Sequence, residues 1–275
     1  MTIEPLILAV DLGTSSMKVA LITIKGRVIG WESEPIQLIL TPDGGAEQSP
    51  HEWWSAFLTA SKRLLQHHPA HAPDVQAICC STQGEGTVAV DKNGQALMNC
   101  ILWMDMHAAP YLREQFKGLI NITGAGLLNT LRWIRLTGGM PSNTGKDPAG
   151  HMLLIRHRFP EIYAHTYKFL NVLDYLNLRL TGRFAATFDS IMTSWVTDNR
   201  DPDAIHYDAG LVRSSGVDIE KLPEIVPCTT VLGFLKPELA ESLGLSKNTR
   251  VVAGAIDNTA AAIGAGTTND YATHL

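Results

Sequence analysis

Apolar residues fall into short, well-separated runs along this chain, and the spacing within each run predicts its element. Leu6-Ile7-Leu8-Ala9-Val10 is a continuous apolar stretch of strand length and predicts a strand buried on both faces. Residues 17–24 alternate in part, with Val19, Leu21, Ile22 and Ile24 apolar, and residues 28–34 follow the turn signal Lys25-Gly26. Connections this short predict an antiparallel three-strand meander, which is not how a dinucleotide-binding fold begins.

Ser49-Pro50-His51-Glu52 marks a helix start: Ser49 caps, Pro50 suits the first helical position and Glu52 closes a capping box. Trp53, Phe57 and Leu64 give that helix an apolar face, and it fades at His67-His68-Pro69. A strand is predicted at 75–81, a short one at 87–90 before the turn Lys92-Asn93-Gly94, and an apolar stretch at 101–103. Residues 108–184 are mainly helical in pattern, with helices expected at 126–136, 148–158 and 172–180; residues 185–235 read as loop-rich. A strand near 250–253 and an alanine-rich helix from about Asn258 complete the pattern. The simplest architecture is one α/β domain over 1–275, carrying a helical insertion at about 108–235.

Composition narrows the class without naming the chemistry. The 275 residues are 45% hydrophobic and 18% charged, an ordinary globular profile. Net charge is -5, with 22 Lys+Arg against 27 Asp+Glu, so no basic field points to nucleic acid or an anionic membrane. Cys79, Cys80, Cys100 and Cys228 form no C-x-x-C pair and suit free thiols in a reducing compartment. No run reaches membrane-spanning length and the N-terminus lacks a signal-peptide pattern, so a soluble cytoplasmic protein is expected. His67, His68 and His71 lack the partners of a metal site and read as an exposed helix end.

Four segments carry candidate chemistry. In "DLGTSSMK", Gly13 permits a tight turn and close backbone approach, while Thr14 and Ser15 offer hydroxyl and amide donors to phosphate oxygens. Asp11 would hold magnesium through water, and Lys18 would neutralise phosphate charge. A hairpin serving geometry alone competes with that reading. "STQGEG" places Gln83, Gly84 and Glu85 at a strand end, where polar groups meet ligands in α/β sheets; a plain solvated loop competes. "ILWMD" sets Trp103 and Asp105 where a ring can pack on a sugar and a carboxylate can bind hydroxyls, or where a core Trp precedes a helix cap. "AIDNT" puts Asp257 just past a strand, as either a helix N-cap or a general base that takes a proton from an attacking hydroxyl.

In this order the segments resemble the FGGY family of carbohydrate kinases, of the actin-like, ribonuclease-H-like ATPase superfamily. "DLGTSSMKVAL", "GGAEQSPHEWWSA", "STQGEGTVAVDKNGQAL", "ILWMDMHAA", "DYLNLRLTGRFAATFDS" and "LGLSKNTRVVAGAIDNTAAAIGAG" each match a family segment, and the likeness runs through essentially the whole chain. The resemblance implies an actin-like α/β fold and phosphorylation of a sugar or polyol hydroxyl with ATP and Mg2+. It implies Asp257 as general base and Asp11 as organiser of Mg–ATP, with Gly13, Thr14, Ser15 and Lys18 addressing phosphate. Gln83, Gly84, Glu85, Trp103, Asp105 and Asn258 fall where family members meet the sugar. Two features depart from the family: Gln83-Gly84-Glu85-Gly86 fits neither the Q-M-H-G of xylulose kinases nor the Q-R-E-T of glycerol kinases. His107 also stands where Arg is common. A pentulose such as xylulose is the first expectation.

Family members are about twice this length, with two actin-like domains closing on ATP. The chain is therefore expected to be the N-terminal, sugar-binding domain, without the C-terminal nucleotide-binding domain, and inactive alone. Partners expected are a small sugar or polyol, with no nucleic acid and no membrane; a homodimer stays open. The competing class is a non-catalytic actin-like module that senses a sugar or nucleotide. Retention of both Asp11 and Asp257 argues against it, because a sensor needs no proton acceptor.

Overall fold

The computed structural model describes residues 4–118, 121–122 and 125–269. Its centre is a mixed sheet of six strands: β1 (Leu6–Leu12), β2 (Ser16–Thr23), β3 (Val28–Pro35), β4 (Val75–Thr82), β5 (Val231–Phe234) and β6 (Arg250–Ile256). Their spatial order is β5-β6-β4-β1-β2-β3. The first three form the expected antiparallel meander, with Asp11 opposite Lys18 across β1 and β2. Both β4 and β6 run parallel to β1, so three strand ends converge at one edge.

The expectation that β1 is buried on both faces needs correcting. Leu6, Leu8, Val10 and Leu12 are at most 2% exposed, whereas Ile7, Ala9 and Asp11 between them are only half-buried. The first set packs under helix α1 (Pro50–His67), whose Trp53, Phe57 and Leu64 are buried. Each such side chain contributes about 1.5–3 kcal/mol on burial. The opposite face opens onto an apolar groove of about 870 Å³ lined by Ile7, Ala9, Ala20, Ile22 and Cys79. A purely apolar run cannot say which of its faces stays uncovered.

Helix α2 (Pro148–Arg158) and helix α3 (Val172–Thr181) form where the pattern places them. α3 lies beside α1, and the Trp53 and Tyr175 rings meet edge-on at 6.3 Å. Asn171 and Asp174 make a full capping box at its start. The box expected at α1 forms only in half. Ser49 accepts from the Glu52 amide, but the Glu52 carboxylate turns away to the amide of Gln37. The tract read as loop-rich, 185–235, holds several short elements, including helix α4 (Phe188–Met192) and the strand Ala185–Thr187, which is parallel to Glu224–Val226. Elements two to seven residues long are too brief to show a period.

β6 carries a bulge: Val252 pairs with Cys79 and Ala255 with Ser81, leaving Ala253 and Gly254 opposite Cys80. Gly254 adopts φ 77, and a Cβ there would lie 2.0 Å from the carbonyl oxygen of Cys80. Its amide bonds to the Cys228 oxygen, and Asn177 of α3 donates to the Ala253 oxygen at 2.7 Å. The bulge re-aims the end of β6, which leads directly into helix α5 (Asp257–Gly264). All four cysteines are free thiols. Among the described residues no helix is long and apolar enough to cross a membrane.

Candidate active site

Asp11 pairs with Ser81, and Thr82 pairs with both Leu12 and Ile256, so the ends of β1, β4 and β6 lie side by side. Ligands in open α/β sheets bind outside such carboxyl ends. The turn after β1 is closed by the Gly13 amide donating to the Ser16 oxygen at 3.0 Å. The amides of Thr14 and Ser15 make no hydrogen bond among the described residues, and Ser15 is exposed. Paired free amides in a turn form an anion-binding nest.

A closed ring of hydrogen bonds fixes this turn. Gln48 donates to the Thr14 oxygen at 2.6 Å, Gln83 donates to Gln48 Oε1 at 2.8 Å, and the Thr14 hydroxyl donates to Gln83 Oε1 at 3.1 Å. The Trp53 indole also donates to Gln48 Oε1, tying the ring to α1. Gln83 is 2% exposed with both ends of its amide engaged, so it stands behind the surface that a ligand would meet.

Asp11 and Lys18 form an ion pair at 3.1 Å, with side chains 42% and 54% exposed, leaving Asp11 Oδ1 without a partner among the described residues. Asp257 follows the last residue of β6. Ile256 is the N-cap residue, so Asp257 opens the first turn rather than capping it. Asp257 is half-buried; burial raises its carboxyl above the ordinary aspartate range, the amide of Asn258 lowers it, and the charges of Asp11 and Asp189 raise it. Asn258 is exposed, and its amide donates to Asp257 Oδ1 at 2.7 Å.

Asp189, which sequence reasoning did not single out, anchors this helix start. It accepts from the Ile256 amide and from the Thr259 hydroxyl, each at 2.7 Å. Its signal lay inside the quoted "ATFDS" segment, but nothing local ties that segment to residue 257.

A second group lies toward the helical region. Glu85 is half-buried and holds φ 59, a conformation that costs a side chain with a Cβ about 1–3 kcal/mol. Burial raises its carboxyl above the usual range, the charge of Asp147 raises it further, and Lys146 lowers it. Gly84 packs on Ile256, where a Cβ would meet Cδ1 at 3.3 Å, which links this loop to the β6 end. Trp103 is 40% exposed. Asp105 is 1% exposed, and its oxygens accept from the amides of Ala46 and His107, so its carboxylate is engaged inside the protein. The described residues thus bring Asp11, Asp257 and the Gly13–Ser16 turn to one edge, with Gly84 and Glu85 alongside.

The oxygens left free on Asp11 and Asp257 suit magnesium, which keeps several waters and takes few carboxylates. No group of three or more His, Cys, Asp or Glu side chains assembles a closed cage among the described residues.

The sheet order, the opening meander and the turn after β1 define an actin-like ATPase fold. Within that class the chain belongs to the FGGY family of carbohydrate kinases, whose N-terminal domain matches residues 6–264. It is 29% identical to a xylulose kinase of Bacillus subtilis (strain 168), an alignment covering 94% of this chain and 49% of that protein. It is 31% identical to a xylulose kinase of Escherichia coli (strain K12), covering 94% and 50%. The structure of a "xyloylose kinase" from Brucella ovis superposes with a TM-score of 0.84 at 26% identity, covering 96% of this chain and 51% of that one. The chain spans about half the length of the curated relatives it matches.

Proposed function

We propose that the protein to which this chain belongs transfers the γ-phosphoryl group of ATP to a hydroxyl of a sugar or polyol, with a pentulose such as xylulose as first candidate. The observation that carries this reading is the convergence of Asp257 and Asp11 at the ends of β6 and β1, on either side of β4, beside a turn with free amides. Asp257 takes the proton of the attacking hydroxyl as its oxygen bonds to phosphorus and the bond from phosphorus to the β-phosphate oxygen breaks, releasing ADP. A carboxylate above the ordinary aspartate range is a better proton acceptor than an unperturbed one.

The amides of Thr14 and Ser15 receive phosphate oxygens, and Lys18, released from Asp11, neutralises their charge. Magnesium bound through Asp11 would offset charge on the transferring group. Gly84 allows close approach at the sheet edge, while Glu85, Trp103 and Asn258 meet the substrate. Gln83 and Asp105 act from behind as positioning residues. The protein acts on a small molecule in the cytoplasm.

The test is ATP consumption by the full-length protein against a panel of ketoses, aldoses and polyols. One or more should be turned over, and Asp257→Asn should lower kcat by about 100-fold or more. Turnover of that substrate by Asp257→Asn at the parental rate would remove Asp257 from the chemistry, and no turnover across the panel would overturn the kinase reading.

A further inference from the structure

Asp174 lies in the first turn of α3 and is 1% exposed. Its Oδ2 does the ordinary work of a capping box, accepting from the Asn171 amide at 3.3 Å. That task needs no burial, because the partner lies at the start of the same helix. The other oxygen serves a different element: Oδ1 accepts from the Thr187 amide at 3.3 Å and from the Ser190 hydroxyl at 2.9 Å. Its hydrogen-bond partners among the described residues are these two amides and this hydroxyl, with no cation beside them. A buried carboxylate without a paired cation is costly, and only its hydrogen bonds offset that cost.

Those bonds lead to the site. Ser190 follows Asp189 directly in α4, and the start of α3 holds it at two points. Its hydroxyl donates to Asp174, and its carbonyl accepts from the Asn171 side chain at 3.3 Å. Asp189 carries the hold onward to the Ile256 amide and the Thr259 hydroxyl, at 2.7 Å each. Every link from Asp174 to the helix start at Asp257 is thus a hydrogen bond or a covalent one. Three residues along α3, on the same face, Asn177 grips β6 separately through the Ala253 oxygen at 2.7 Å. We propose that Asp174 is a positioning residue for phosphoryl transfer: acting through Ser190 and Asp189, it holds the helix start that aims Asp257 at the attacking hydroxyl. This rests on the reading of Asp257 as general base.

The test uses the full-length protein and the best sugar of the panel. Asp174→Asn keeps the size but turns an N–H toward donors that now face a carboxylate, and Ser190→Ala deletes the shared hydroxyl. Each should lower kcat about 10-fold or more, with KM for sugar and for ATP within about threefold. Asp174→Asn combined with Asp189→Asn should fall within about threefold of the poorer single variant, because both break one path. An unchanged kcat, a loss confined to KM, or full additivity with Asp189→Asn would overturn the relay. Should Asp174→Asn not fold, Ser190→Ala alone decides. The Ile256 amide reads the same path without turnover. Its hydrogen exchange in Ser190→Ala should quicken by about 10-fold or more beyond any change at the amides of β1. Acceleration shared equally with β1 would mean a general loss of stability and would refute the relay. No turnover by the parental protein would count against the kinase reading, and the exchange result would still decide whether Asp174 holds this helix start.

Discussion

Asp189 and Thr259 stand 70 positions apart in sequence and share a hydrogen bond of 2.7 Å. The same carboxylate receives the amide of Ile256, so the helix that begins with Asp257 borrows its capping acceptor from α4. Negative charge beside a helix N-terminus is also favourable, by about 0.3–1 kcal/mol at an exposed site. Asp189 therefore holds the orientation of Asp257 without being placed to touch the reacting atoms.

Asp189→Asn should lower kcat by about 10- to 100-fold while KM for the sugar changes less than threefold, because the acceptor geometry loosens and the sugar contacts stay. Thr259→Val removes one of the two bonds and should give a smaller loss. Combined, the two substitutions should fall short of the sum of their effects, since they break one shared contact. Steady-state kinetics of the three variants checks this. Full additivity, or a loss confined to KM, would contradict the positioning role.

Gly254 is where the bulge in β6 admits no side chain. At φ 77 a Cβ would meet the backbone oxygen of Cys80 at 2.0 Å, and a main-chain carbonyl within a central strand cannot swing aside as a side chain would. Gly254→Ala should destabilise the protein by about 3 kcal/mol or more, combining left-handed strain with overpacking. Gly244 provides the control: it also holds positive φ, 68, but has nothing within 4 Å of a Cβ. Gly244→Ala should cost only about 1–2 kcal/mol. Urea denaturation of both variants separates strain from collision, and equal losses would show that the collision is relieved.

Much of this frame was legible in sequence because it is local. The meander, the starts of α1, α2 and α3, and the turn "DLGTSS" each depend on residues a few positions apart. What could not be read depends on distant partners. Nothing near Thr14 announces that Gln83, 69 positions on, will accept its hydroxyl, or that Gln48 will close the ring. Glu52 offered a good capping box and used its carboxylate on Gln37 instead, a choice set by where β3 leads the chain. Asp105 read either as a carboxylate for sugar hydroxyls or as a helix cap, but folding engages its oxygens with the amides of Ala46 and His107.

Two buried groups pull stability in opposite directions over one pH range. His151 is fully buried, with Nδ1 3.0 Å from the Thr87 hydroxyl; burial pushes its pKa down from 6.5 to about 4, against the field of Asp105. The unfolded chain gains that proton first, so this stability is present above pH 6.5 and is lost as pH falls toward 4. Asp174 is 1% exposed, and burial pushes its carboxyl up from 3.8 to about 7. The Ser190 hydroxyl and the amides of Thr187 and Asn171 oppose that shift, and the charge of Asp189 adds to it. Here the folded state keeps the proton longer, so the contribution is full below pH 3.8 and is lost as pH rises through about 7. The two slopes offset one another in the parental protein. His151→Gln should expose stability that falls as pH rises from 4.5 to 6.5, and Asp174→Asn stability that falls as pH drops over about the same window. Denaturant titrations at several pH values check the signs; identical slopes in the two variants would refute the assignment.

The ring of Thr14, Gln48 and Gln83 makes the sharpest stability prediction at the phosphate turn. Gln48 is fully buried and serves three groups: the Thr14 oxygen, the Gln83 amide and the Trp53 indole. Gln48→Leu keeps similar volume but strands all three, and each buried unpaired polar group costs about 1–3 kcal/mol. A total near 3 kcal/mol or more is expected, against about 1–2 kcal/mol for Thr14→Val, which removes a single half-buried hydroxyl. The turn should loosen in step, since Gln48 alone grips the Thr14 carbonyl. Hydrogen exchange at the Gly13 amide, whose bond to the Ser16 oxygen closes the turn, should quicken in Gln48→Leu far more than in Thr14→Val. Should the two variants lose equal stability and exchange alike, the turn is held by the β1–β2 hairpin and not by the ring.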